Sequence, residues 1–139
     1  IYGRVYFFDK DKNQEDVIDL ELLNNSLPDR FVQSIYQDFD DSFWFGCGVW
    51  DVSKTSKGGL LHYESENKIT VFSIEDGLIA NRIRDIYRDS QGVLWIATLS
   101  GLSTFDGQIF KNYTMADGLP TDIINSIYEN MQSSMLLTI

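Results

Sequence analysis

Cysteine is almost missing from this chain: Cys47 is the only one, so no intrachain disulfide can form. Histidine is equally scarce, and His62 has no second His or Cys near it in sequence, which argues against a zinc site. No nucleophile motif and no glycine-rich phosphate loop occurs. No cofactor is expected. No apolar run approaches the length of a membrane span. Basic residues are few, 11 Lys and Arg against 21 Asp and Glu, for a net charge of −10. That balance opposes nucleic-acid binding, which needs clustered cations against phosphates. An acidic surface suits a soluble domain and, at most, cationic partners. One stretch, Asp9-Lys10-Asp11-Lys12-Asn13, begins like a calcium loop. Gln14 and Leu20 then stand where such a loop needs Gly and Glu, so a plain acidic loop is the better reading.

What the chain does have is self-similarity. Asp76-Gly77-Leu78-Ile79-Ala80-Asn81 returns 41 positions later as Asp117-Gly118-Leu119-Pro120-Thr121-Asp122. Ile83-Arg84-Asp85-Ile86-Tyr87 returns as Ile124-Asn125-Ser126-Ile127-Tyr128, and an earlier copy holds Ser34-Ile35-Tyr36. A fixed period near 40 residues marks a repeat architecture. Within the middle copy, four apolar runs, Ile83–Arg88, Val93–Thr98, Leu102–Phe105 and Ile109–Thr114, are separated by Asp-, Ser- and Gly-rich breaks. Short runs bounded in this way are strands. Four strands per repeat is one blade of a β-propeller. Val93-Leu94-Trp95-Ile96-Ala97 is continuously apolar, as expected of a strand covered on both faces. Trp95, and Trp44 in the preceding copy, are therefore expected to be inter-blade core fillers.

The fold expected is all-β: a partial propeller of about three blade-equivalents of four-stranded antiparallel sheets, a fragment of a larger closed propeller. The divisions are 1–26 for the end of a preceding blade, with strands at Gly3–Asp9 and Val17–Leu23, then 27–75, 76–116, and 117–139 for a degenerate further blade. In that last blade the first strand is expected at Ile123–Glu129, and Leu136 occupies the tryptophan slot. The blade at 27–75 carries an insertion at 49–57. Trp44 to Gly59 covers 15 positions, whereas Trp95 to Gly101 covers six.

The run Gly92-Val93-Leu94-Trp95-Ile96-Ala97-Thr98, followed by Gly101-Leu102-Ser103-Thr104-Phe105-Asp106-Gly107 and Phe110-Lys111-Asn112-Tyr113, resembles the two-component regulator propeller repeat. Gly77-Leu78-Ile79 and Ile83-Arg84-Asp85-Ile86-Tyr87-Arg88-Asp89 fill that family's opening, with Ile79 in place of its proline and Ala97 in place of a glycine. The resemblance implies the extracytoplasmic sensor region of a bacterial hybrid two-component regulator, on the periplasmic or extracellular side of the inner membrane. It implies further blades and signalling domains in a parent chain, with a homodimer of the parent as one arrangement. The expected role is non-enzymatic ligand sensing for signal transduction, with an oligosaccharide as the ligand. A propeller scaffold for protein interaction or dimerisation is the alternative. A propeller lyase or dehydrogenase would need convergent His, Arg or acidic groups, and a single His argues against it.

Loops before first strands and between second and third strands emerge on one face. The ligand-binding candidates on it are Asp29, Arg30, Trp50, Asn81, Arg82 and Asp122. Repeat-specific insertions usually decorate a binding face, which brings in Trp50; a loop filler against the next blade is its other reading. Arg82 offers a planar fork to hydroxyls or carboxylates, or an ion pair with Asp122 or Asp85.

Overall fold

The computed structural model describes residues 4–9, 14–19, 31–48, 58–65 and 67–139. The strands β1 (Arg4–Asp9) and β2 (Gln14–Asp19) form a hairpin. The first complete sheet is β3 (Val32–Gln37), β4 (Phe43–Gly48), β5 (Gly58–Ser65) and β6 (Lys68–Phe72) in chain order. A second follows as β7 (Ile83–Arg88), β8 (Leu94–Thr98), β9 (Leu102–Phe105) and β10 (Phe110–Tyr113). A last pair is β11 (Ser126–Glu129) and β12 (Met135–Thr138). All pairings are antiparallel. The strand β7 lies at the end of its sheet and packs beside both β3 and β11, so first strands of successive sheets neighbour one another as they do around a propeller axis.

The sheets stack through side chains that alternate along each strand. Trp44 and Leu60 join Leu78, Ile83, Ile86, Leu94, Ile96 and Phe105 in one core between the two complete sheets. The intervening positions, Phe45, Cys47 and Leu61, turn the other way and pack with Val5. Ala97 and Leu102 meet Ile124 and Ile127. Both faces of the middle strands are thus largely covered, which is why β4 and β8 read as unbroken apolar runs. Each fully buried Leu, Ile or Phe adds about 1.5–3 kcal/mol to this stack.

Register confirms the repeat residue by residue. Tyr36 pairs with Trp44, Tyr87 with Trp95 and Tyr128 with Leu136, so Leu136 does occupy the tryptophan slot. Gly59 and Gly101 sit at the same place in their sheets, with φ of 147° and 132°. A Cβ at either would come within 2.5 Å of the carbonyl oxygen of Phe72 or Tyr113 on the outer strand. Glycine is required at both for the left-handed backbone and for that close approach.

Three expectations need correction. The strand expected at Val17–Leu23 begins at Gln14, because Asp9 pairs with Gln14 as soon as the turn closes. The expected runs Val93–Thr98, Ile109–Thr114 and Ile123–Glu129 shorten to β8, β10 and β11. Trp95 is half-buried rather than fully buried, whereas Trp44 is 3% exposed. Trp44 is covered by a complete neighbouring sheet, and Trp95 by a two-stranded one.

The breaks after β6 and β10 are ordered 3-10 turns at Ile74–Asp76 and Met115–Asp117. Ser73 and Thr114 accept from Glu75 N and Ala116 N, while Asp76 and Asp117 accept from the amides of Ser73 and Thr114. Each is a small capping box that ties off orphan amides.

Candidate functional site

Of the six candidate residues, Asp29, Arg30 and Trp50 lie outside the described residues, as do the insertion at 49–57 and most of the Asp9–Asn13 loop. Asn81, Arg82 and Asp122 are described, all half-buried. The stems of the insertion, Gly48 and Gly58, pair across β4 and β5. Both press on the next sheet: a Cβ on Gly48 would stand 3.2 Å from Arg82 Cα, and one on Gly58 would overlap the Asn81 carbonyl oxygen. The base of the insertion and the Asn81-Arg82 segment therefore meet on one face.

Asn81 and Asp122 have a second, structural role. Asn81 Oδ1 accepts from Ile74 N at 2.9 Å, and Asp122 Oδ1 accepts from Met115 N at 2.8 Å. Each side chain anchors the first amide of a 3-10 turn, so its oxygen serves the backbone. The carboxylate of Asp85 is also occupied, accepting from Ile86 N and, across the sheet boundary, from Ile127 N at 2.8 Å.

The opposite face carries a device that recurs. Trp44 Nε1 donates to Asp38 at 2.8 Å, and Trp95 Nε1 donates to Asp89 at 2.7 Å. In the third copy Asn130 and Leu136 replace the pair together. Asp89 Oδ1 takes the Gln91 and Val93 amides, leaving Oδ2 for the indole. Asn130 Oδ1 likewise takes the Gln132 and Ser134 amides, but its other atom is an NH₂ donor. An indole N–H there would face a donor, and leucine needs no partner.

Asp38 also receives Arg88 from the following sheet, through Nε at 2.7 Å and through Nη2. Burial alone would raise the Asp38 carboxyl; the hydrogen bonds from Arg88, Trp44 and the Phe39 amide outweigh it and hold it below its ordinary value of 3.8. Glu129, in the place of Arg88, reaches back in the same way to Ser90 N and Oγ at 2.8 and 2.7 Å.

Only the first complete sheet holds a Ser–His pair. Ser42 Oγ and His62 Nε2 stand 2.9 Å apart, and Glu64 lies 3.9 Å from His62 Nδ1. The arrangement does not make a nucleophile. Ser42 is 3% exposed, and its hydroxyl donates to Asp40 at 2.5 Å. His62 stacks flat on Trp44, with centroids 3.9 Å apart. Sequence reasoning could not assemble this group, because Ser42 comes from the turn before β4 while His62 and Glu64 come from β5, with no local signature. Burial lowers the His62 pKa below 6.5, against the opposing pull of Glu64, Asp40 and Asp38.

A neutral, buried imidazole binds fewer protons folded than unfolded. Its stabilising contribution is complete above pH 6.5 and is lost as pH falls through the lower folded value. The single imidazole resonance should therefore titrate below 6.5, and stability should fall more steeply on acidification in the wild type than in His62→Gln. Parallel stability curves for the two proteins would contradict this.

Among the described residues, no cluster of three His, Cys, Asp or Glu could hold a metal ion, and no helix is long and apolar enough to cross a membrane.

A family model described as two component regulator propeller matches residues 26–49 and 77–100. The extracellular domain of the hybrid two component system BT3049 from B. thetaiotaomicron superposes with a TM-score of 0.67 at 28% identity, over 96% of this chain. That of BT4673 from the same organism gives 0.59 at 23% identity over 77% of this chain and supports the fold alone. The chain spans 20% of the first structure and 15% of the second. No curated protein matches it.

Proposed function

We propose, from the premise that this chain is built of two component regulator propeller repeats, that it is part of the extracellular sensor region of a hybrid two-component system. It recognises an oligosaccharide and is itself non-catalytic, with signal output in other parts of a parent chain. The observation carrying this reading is the conjunction of the repeat match with the fit, over 96% of the chain, to an extracellular domain of such a system.

The face we assign to recognition is the one where the insertion stems Gly48 and Gly58 meet Asn81 and Arg82. Trp50 would stack on a sugar ring, and Arg82 would hold its hydroxyls. In sequence, Asp29 and Arg30 precede the first complete sheet as Ala80 and Asn81 precede the second. Asn81 and Asp122 would act by holding the turns in place, since their oxygens already serve backbone amides.

The test is calorimetric titration of a panel of neutral and acidic oligosaccharides into the complete extracellular region. Trp50→Ala combined with Arg82→Ala should weaken binding by about tenfold or more. Unchanged affinity would remove this face from the proposal. A folded wild type that binds no sugar would favour a protein-interaction scaffold.

A further inference from the structure

The two hairpins that flank the complete sheets are complementary halves of one sheet. A complete sheet runs from first to fourth strand, as in β7, β8, β9 and β10. The hairpin β11–β12 repeats only the first two. Its Ser126, Ile127 and Tyr128 face Thr138, Leu137 and Leu136, as Asp85, Ile86 and Tyr87 face Ala97, Ile96 and Trp95. The hairpin β1–β2 repeats only the last two: Val5 joins Phe45 of the following sheet in one core, as Leu60 joins Ile96. Among the described residues each hairpin is a sheet of two strands with no third strand on either edge.

The faces beside these edges are apolar and uncovered. Ile35, Ile86 and Ile127 hold one position in the three first strands. Ile86 and Ile127 are 3% and 5% exposed, each packed on the sheet before it. Ile35, preceded only by the β1–β2 hairpin, is 53% exposed. At the other end Tyr128 and Leu136 are 58% and 51% exposed, whereas their counterparts Tyr87 and Trp95 pack on the core shared with β11. The rings of Tyr36, Tyr87 and Tyr128 follow one another at 6.3 and 6.2 Å, a row open at both ends.

We infer that a second copy of this chain covers both faces: β11–β12 of one copy and β1–β2 of the other complete a four-stranded sheet at each junction of a two-copy ring. The strand count favours this occupant. Twelve described strands at four to a blade make three blades, and closed propellers have roughly four to eight. One copy cannot close, but two make six blades. A closed two-fold ring is the commonest form of homo-oligomer, and joining the halves removes the open edges. In β8 and β9, Ala97 faces Leu102. The same register sets Thr138 of one copy opposite Val5 of the other. It also lays Tyr128 and Leu136 over Ile35 and brings Tyr128 to Tyr36, which closes the tyrosine row. This inference stands apart from sugar recognition and does not depend on it.

The experiment is sedimentation equilibrium of the 139-residue chain over a concentration series. The expected mass is twice the 16.0 kDa of one chain. Ile35→Lys and Leu136→Lys each change an exposed position, so circular dichroism should show the fold retained. Each would bury an unpaired charge in the junction, so dimer dissociation should rise by about tenfold or more. A chain carrying both Val5→Cys and Thr138→Cys should form a disulfide between copies on mild oxidation, since the completed sheet brings the two positions opposite each other. A monomer at every concentration, or a chain unfolded at every concentration, overturns the proposal and assigns the faces to flanking strands of a parent chain. A ladder of species beyond the dimer overturns the closed ring. A dimer that withstands both lysine variants and gives no cross-link overturns the composite sheet.

Discussion

Trp44→Ala should destabilise the protein by about 3–5 kcal/mol, the usual result of emptying a large aromatic site in a core. Its ring is 3% exposed and lies at the centre of the core between the two complete sheets. It stacks on His62, approaches Phe72 within 6.1 Å and meets Phe105 edge-on at 6.2 Å. Neither neighbouring sheet can collapse into the space without breaking its own ladder. Trp95→Ala removes the same residue from the same register position but should cost less, about 1–2 kcal/mol, because part of the ring is already exposed to solvent. Denaturant midpoints of the two variants make the comparison directly. Equal losses would mean that coverage by the neighbouring sheet does not set the cost.

The second large effect is expected at Asp38. Its carboxylate is the shared acceptor of Trp44 Nε1 and the Arg88 guanidinium, and side-chain exposures of 9% for Asp38 and 17% for Arg88 leave little water to replace it. Asp38→Ala leaves Trp44 Nε1 and the Nε and Nη2 of Arg88 without their acceptor, although Nη1 keeps its bond to the Gly92 carbonyl, and should cost about 3–5 kcal/mol. Arg88→Ala in that background should restore part of the loss, since the buried cation is then gone. Because Asp38, Trp44 and Arg88 form one network, single losses will not add, and a double-mutant cycle between Trp44 and Asp38 should show coupling. Strict additivity would count against the shared acceptor. The folded carboxyl is held below 3.8, so its contribution is present above that pH and disappears as the solution is acidified through the lower value.

The strands were legible because burial on both faces leaves an unbroken apolar signature, as in Val93-Leu94-Trp95-Ile96-Ala97, and the breaks between them carry Asp and Gly. The tryptophan slot, down to Leu136, could be found by counting. How deeply Trp95 is buried could not, since that depends on how many strands cover it from the next sheet. The 3-10 turns had a readable mark in Ser73-Ile74-Glu75-Asp76 and Thr114-Met115-Ala116-Asp117, a capping box just after an aromatic strand. Those marks do not show that Asn81 and Asp122 anchor the turns, because each bond comes from a side chain seven residues further on. The spacing from Asp38 to Trp44 and from Asp89 to Trp95 is also constant. Nothing in one sequence says that such spacing closes a hydrogen bond until a turn brings the two ends together. The register skips at Gln33, between Val32 and Ser34, and at Arg84, between Ile83 and Asp85, leave no mark at all, because a skipped residue in a ladder is a property of two strands.

Two of the side-chain links between successive sheets point back along the chain. Arg88 and Glu129 each sit at the end of a first strand and reach back to the turn of the sheet before. A ribbon fastened like this has a polarity under mechanical load. Peeling from its C-terminal side withdraws the reaching residue and leaves behind a turn whose polar groups, the Asp38 acceptor or the Ser90 donors, water can satisfy. Peeling from the N-terminal side removes the turn and leaves a half-buried guanidinium with its fork facing the gap. A pull applied at Ile139 should therefore shed repeats at lower force than the same pull applied at Ile1.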